Sequence, residues 1–126
     1  MFTEKTTDTS YWDKRLKDPD RYGVKIKIEY MSPTEYMEEV TDMFREASIE
    51  EYPEQMKDRE FTILDTFLGM GRGDGICKIV DDMRKGDVFP MLVLDYDLMQ
   101  QEGRHRAMAS HILQNYSIPV LIVEPA

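Results

Sequence analysis

The chemistry in this sequence is concentrated in one stretch, Gln101-Glu102-Gly103-Arg104-His105-Arg106-Ala107-Met108-Ala109. A carboxylate, a glycine and three successive basic side chains stand where a short strand (98–101) is expected to give way to a helix (104–114). The first N–H groups of a helix have no partners within it and form a ready anion site. Gly103 lets the backbone come close to a ligand. Cations at a helix N-terminus oppose its dipole, so Arg104, His105 and Arg106 call for a compensating anion or an acid such as Glu102. A local rule broken in this way marks a candidate functional site, here for phosphate. The plain alternative is an exposed helix start with its basic side chains in water.

The elements around this stretch follow from periodicity. Residues 24–30 (VKIKIEY) alternate strictly and predict a half-buried strand. Ser32 with Glu35, and Pro33 between them, start a helix that runs to about Ala47. Ser48 with Glu51 repeats the capping pattern and predicts a shorter helix to about Lys57. Residues 61–68 (FTILDTFL) are apolar and fit either strand or helix, and a glycine-rich stretch, 69–75, follows. A helix is expected from Ile76 to near Gly86, then apolar strands at 89–95 (FPMLVLD) and 118–123 (IPVLIV). The class is mixed α/β, a small mixed sheet packed by helices. Residues 1–23 read as an N-terminal arm, and 24–126 as a single domain with an acidic helical insertion at 33–58.

The chain has 126 residues and a net charge of −9. Residues 35–60 carry ten acids and three bases, so they hold −7 of that charge. The run reads as a solvated face, or as a surface that repels DNA or meets a basic protein partner. Such acidity argues against strong, sequence-specific DNA binding by this chain alone. One cysteine, Cys77, forms no internal disulfide and suits a reducing, cytoplasmic setting. No apolar run is long enough to span a membrane.

Other candidates are weaker. His105 and His111 fall on different helical faces and, with one cysteine, build no zinc site, so no metal ligand is assigned. Asp95 and Asp97 could bind magnesium, but Asp-Tyr-Asp reads first as turn chemistry. The alternating glycines of 69–75 lack the spacing of a phosphate loop and read as a connector. Met37, Met43, Met83 and Met108 lie on apolar faces and fill core. Trp12 marks either a partner contact or a pin holding the arm to the core.

The run LMQQEGRHRAMAS, with IPVLIV about ten residues on, resembles the ParB/sulfiredoxin superfamily. Gly103, Arg106 and Ala109 match the G-x-x-R-x-x-A pattern of chromosome-partition ParB proteins. Gly103, His105 and Arg106 match the G-x-H-R pattern of sulfiredoxins and free-serine kinases. The resemblance covers about 60 residues and hardly touches 36–75. It implies a ParB/sulfiredoxin-like fold with a nucleotide site, in which Gly103, Arg104, His105 and Arg106 hold the phosphates of a nucleoside triphosphate or diphosphate with magnesium. Lys78, in the preceding helix, is similar to a further nucleotide contact. Glu102 stands where serine-kinase relatives place an aspartate and would be the catalytic base or magnesium partner. Arg104 replaces both the sulfiredoxin cysteine and the usual ParB glutamate, so sulfinic-acid reduction is not expected. No helix-turn-helix region follows 118–123 here, so DNA reading of the ParB kind is not expected either. The expected function is nucleoside-phosphate binding, with phosphoryl hydrolysis or transfer open. The alternatives are a non-catalytic module docking a protein through its acidic helices, and a nuclease-like or DNA-modification accessory.

Overall fold

A computed structural model describes residues 1–6, 12–49, 51–70 and 74–126, without the side chains of Asp13, Met70 and Asp74. The elements are β1 (Phe2–Thr3), α1 (Trp12–Lys17), β2 (Val24–Met31), α2 (Pro33–Glu46), a 3-10 turn (Gln55–Lys57), α3 (Ile63–Met70), α4 (Asp74–Arg84), β3 (Phe89–Pro90), β4 (Leu92–Asp95), β5 (Gln100–Glu102), α5 (Arg104–Ile112) and β6 (Ile118–Pro125). The fold is mixed α/β. Four strands form the main sheet in the order β2-β6-β4-β5, and β1 pairs with β3 in a second, two-stranded sheet. β6 runs parallel to β4 and antiparallel to β2, while β4 and β5 form an antiparallel hairpin. Among the described residues no helix is long and apolar enough to cross a membrane.

The two central strands are covered on both faces, which is why their sequences are unbroken apolar runs. Leu92, Leu94, Ile118, Val120 and Ile122 face the large core with Tyr36, Met37, Val40 and Phe44 of α2 and Ala107 and Met108 of α5. Met91, Val93, Leu121 and Val123 face a smaller core closed by Trp12. The stretch read as an N-terminal arm thus supplies β1 and the tryptophan of this second core. Trp12 is 6 % exposed and pins α1 to the sheet.

Local signals explain most boundaries. Ser32 caps α2, its hydroxyl accepting from the Glu35 N–H at 3.1 Å, with Pro33 at the first position. Of the ambiguous stretch 61–68, residues 63–68 fall in helix α3. The expected helix from Ser48 to Lys57 does not form; among its described residues only the 3-10 turn Gln55–Lys57 does. The reason lies at Ser48, whose φ of 55° places it in the left-handed region. There it terminates α2: its N–H bonds to Arg45 O at 3.2 Å and the Ile49 N–H to Phe44 O at 2.9 Å. Those two bonds make a C-terminal Schellman cap, and a residue in that conformation cannot also take the extended geometry of an N-cap. The expected strand 89–95 divides at Met91. Its first two residues pair with β1, and the Met91 N–H bonds to Lys5 O at 2.9 Å.

Candidate functional site

Gly103 sits at the junction of β5 and α5, with φ 120° and no side-chain cap at the helix start. The first helical N–H with a partner among the described residues is that of Ala107, bonded to Gly103 O at 2.8 Å. The N–H groups of Arg104, His105 and Arg106 are therefore available to an anion. The close approach at Gly103 is to protein: a Cβ there would stand 2.5 Å from Leu92 Cγ and 3.2 Å from an Arg106 Nη. The glycine lets α5 start directly over β4.

Arg106 follows one turn later and folds back beneath the junction. One Nη donates to Met91 O at 3.2 Å, and the other lies 3.9 Å from Glu102 Oε1. Its side chain is 13 % exposed, and its Nε is buried without a hydrogen-bond partner among the described residues. Burial lowers its pKa from the ordinary guanidinium value, with the Glu102 carboxylate opposing. The charge of this desolvated cation is offset by one carboxylate at 3.9 Å and a neutral carbonyl.

The other motif side chains diverge. Arg104 reaches toward the segment after α2: an Nη donates to Glu51 Oε1 and to the Tyr52 hydroxyl, both at 2.9 Å. Its guanidinium also lies over the rings of Phe44 (5.5 Å) and Phe67 (5.9 Å). His105 is exposed, its ring edge-on to Phe67 at 5.3 Å. Lys78 lies on α4, exposed, with its Nζ 3.0 Å from Asp82 Oδ2 and no motif residue as partner. Glu102, Gly103 and Arg106 are thus brought together, Arg104 and His105 flank them on the α3 side, and Lys78 is held elsewhere. Residues 71–73 of the glycine stretch lie outside the described residues. No group of three or more His, Cys, Asp or Glu that could hold a metal occurs among the described residues. Arg106's unpartnered Nε is a donor of the kind a phosphate oxygen would accept from, and residues 102–106 offer magnesium the single carboxylate of Glu102.

Two further groups position the hairpin, of which Tyr36 carries no local sequence signal and Asp95 signals its turn but not its tie to α1. Tyr36, fully buried on α2, donates its hydroxyl to Glu102 O at 2.8 Å and lies 3.2 Å from Val93 O. It ties α2 to both strands of the hairpin that presents Glu102. Tyr36→Phe is expected to cost about 1–2 kcal/mol by stranding a buried carbonyl. Burial raises the Tyr36 pKa, with lesser, opposing contributions from Arg106 and Arg104. The stability contributed by the neutral phenol is therefore full below the ordinary value of 10.0 and falls as pH rises above it. Urea melts of both proteins from neutral to alkaline pH check this: the variant should lose part of the alkaline decline.

The second group is Asp95, which is fully buried. Its Oδ1 accepts from the N–H groups of Asp97 and Leu98 at 3.0 Å, and its Oδ2 from Trp12 Nε1 at 3.2 Å. Arg15 stands 3.7 Å away and pairs with Asp97 at 3.0 Å. The Asp95-Tyr96-Asp97 segment is thus an Asx turn locked to α1, as its turn chemistry suggests.

A cleft of about 290 Å³ lies away from the junction, between α2 and the β2 end of the sheet. Glu29, Glu35, Glu38, Glu39 and Glu124 line it with Lys27 as the one cation, and Tyr96 donates its hydroxyl to Glu39. No family profile, curated protein or solved structure matches this chain.

Proposed function

We propose that this protein binds a nucleoside phosphate at the start of α5. The observation that carries the reading is Arg106, a largely buried guanidinium with an unpartnered Nε directly below a helix start whose first N–H groups are open. A phosphate there would add counter-charge to that of Glu102 and accept from the helix terminus. The resemblance of 98–123 to the ParB/sulfiredoxin superfamily supports the same site. In this reading His105 and the N–H groups of 104–106 meet phosphate oxygens, and Arg104 holds the turn through Glu51 and Tyr52. Magnesium bound with the nucleotide would neutralise phosphate charge. Glu102, beside Arg106, is the carboxylate placed to take a proton from a nucleophile if the site performs hydrolysis or transfer.

The test is calorimetric titration of ATP, CTP and GTP with magnesium, run beside thermal melts. Arg106→Ala is expected to weaken binding by about 1.5–3 kcal/mol, the size of a charge-assisted hydrogen bond, and Arg106→Lys to recover only part. Because Arg106 also bonds Met91 O, the alanine variant should melt lower than wild type. A lower melt with unchanged affinity would assign Arg106 a structural role alone. Wild type binding none of the three at millimolar concentration would end the nucleotide reading.

A second reading, a non-catalytic module docking a basic protein, is favoured by the cleft lined by five glutamates and one lysine. Turnover of nucleotide with magnesium separates enzyme from module.

A further inference from the structure

We propose that two copies of this chain pair antiparallel through the outer edge of β2, centred on Ile28. Among the described residues β2 is the end strand of the main sheet and pairs only with β6. Gly23 O accepts from the Ala126 N–H at 2.9 Å on the β6 side, whereas the Val24 N–H turns outward to Pro19 O at 3.1 Å. Backbone groups alternate sides along a strand, so those of Ile26, Ile28 and Tyr30 also point outward. Among the described residues they meet no partner, and the side chains of Ile28 and Tyr30 are 38 % and 58 % exposed.

An open edge of this length recruits another strand unless the sequence prevents it. Lys25 and Lys27 are such a device against most partners. In antiparallel self-pairing, however, the register centred on Ile28 is complementary in charge and carries no like-charge pair. With Ile28 opposite Ile28 of the second copy, Ile26 faces Tyr30 on one side of the sheet and Lys27 faces Glu29 on the other. Twofold symmetry makes the Lys27–Glu29 pair twice, as a self-complementary interface requires. The outward groups of Ile26, Ile28 and Tyr30 then form the hydrogen-bonded pairs. Lys27 and Glu29 fall in the non-hydrogen-bonded pairs, where side chains come closest. Sliding by two residues one way sets Lys27 against Lys27, and the other way Glu29 against Glu29. The charges therefore reject the register centred on Glu29, while the one centred on Lys27 sets a Lys27–Lys27 repulsion against two Lys25–Glu29 pairs and loses the Ile26–Tyr30 match.

The test is sedimentation equilibrium of the full chain from about 5 to about 500 µM, the range suited to a small interface. Wild type is expected to show a monomer–dimer equilibrium. Lys27→Glu and Glu29→Lys, each alone, should weaken it about tenfold or more, because both attractive pairs become repulsive. Mixing the two variants should restore association, since the K27E chain then presents two carboxylates to the two ammonium groups of the E29K chain. Both side chains are about half exposed, at 55 % and 52 %; because Lys27→Glu also removes the cation of the glutamate-lined cleft, thermal melts of each variant establish that it is folded before its association is read. Ile28→Pro, which removes only an outward N–H, is expected to fold and to stay monomeric. A wild type that is monomeric throughout the range, or single variants that associate like wild type, would overturn the proposal.

Discussion

Gly103→Ala is expected to lower the melting temperature by about 12–20 °C, at roughly 4 °C per kcal/mol for a chain of this size. Two costs add. A φ of 120° is strained for any residue with a Cβ, and the new methyl would stand 2.5 Å from Leu92 Cγ. Leu92 cannot yield cheaply, because it is fully buried in the large core. Strain and overpacking together come to about 3–5 kcal/mol. Leu92→Ala alone should also destabilise, by about 2–5 kcal/mol through the cavity it leaves. Combined, the two should cost less than their sum by at least about 1 kcal/mol, since the second change removes the atom the first collides with. Strict additivity in denaturant melts would show that the Leu92 contact is not the cause. Because Arg106 packs against the same glycine, any phosphate affinity should fall with Gly103→Ala even well below its melting point.

Asp95→Ala should cost about 3–5 kcal/mol, as expected when one partner of a buried charged cluster is removed. The carboxylate holds Trp12 of α1 and the N–H groups of its own turn, 83 residues apart in sequence. α1 has six residues, too few to be a stable helix without tertiary contacts. Its attachment therefore depends on Trp12 in the small core and on this carboxylate. The single tryptophan provides the readout: its emission should shift to the red in Asp95→Ala before the main unfolding transition. Asp95→Asn keeps an acceptor for Trp12 but loses the charge facing Arg15, and should cost about 1–2 kcal/mol. An alanine variant with wild-type emission and an unchanged midpoint would show that the cluster contributes nothing to stability.

By itself the sequence determined the elements whose causes are local. The cap at Ser32, the glycine stop at Gly86, the alternation of β2 and the apolar runs of β4 and β6 depend on residues within a few positions of one another. So does the placing of Gly103 between a short strand and a helix. The tertiary structure decided everything that depends on distant partners. Ser48 carries the same capping pattern as Ser32, yet its backbone closes α2 and the second helix is lost. Residues 63–68 become helix while packing on α2, where the Ile63 N–H meets the Thr41 hydroxyl at 2.8 Å. Arg104 and Arg106 look alike in the motif, but one is drawn to Glu51, 53 residues away, and the other folds under Gly103. Trp12, which the sequence left between partner contact and anchor, is an anchor because Asp95 is beneath it. Propensity and periodicity act over a few residues along the chain. The direction of a long charged side chain is set by counter-charges and ring faces that only folding brings near it.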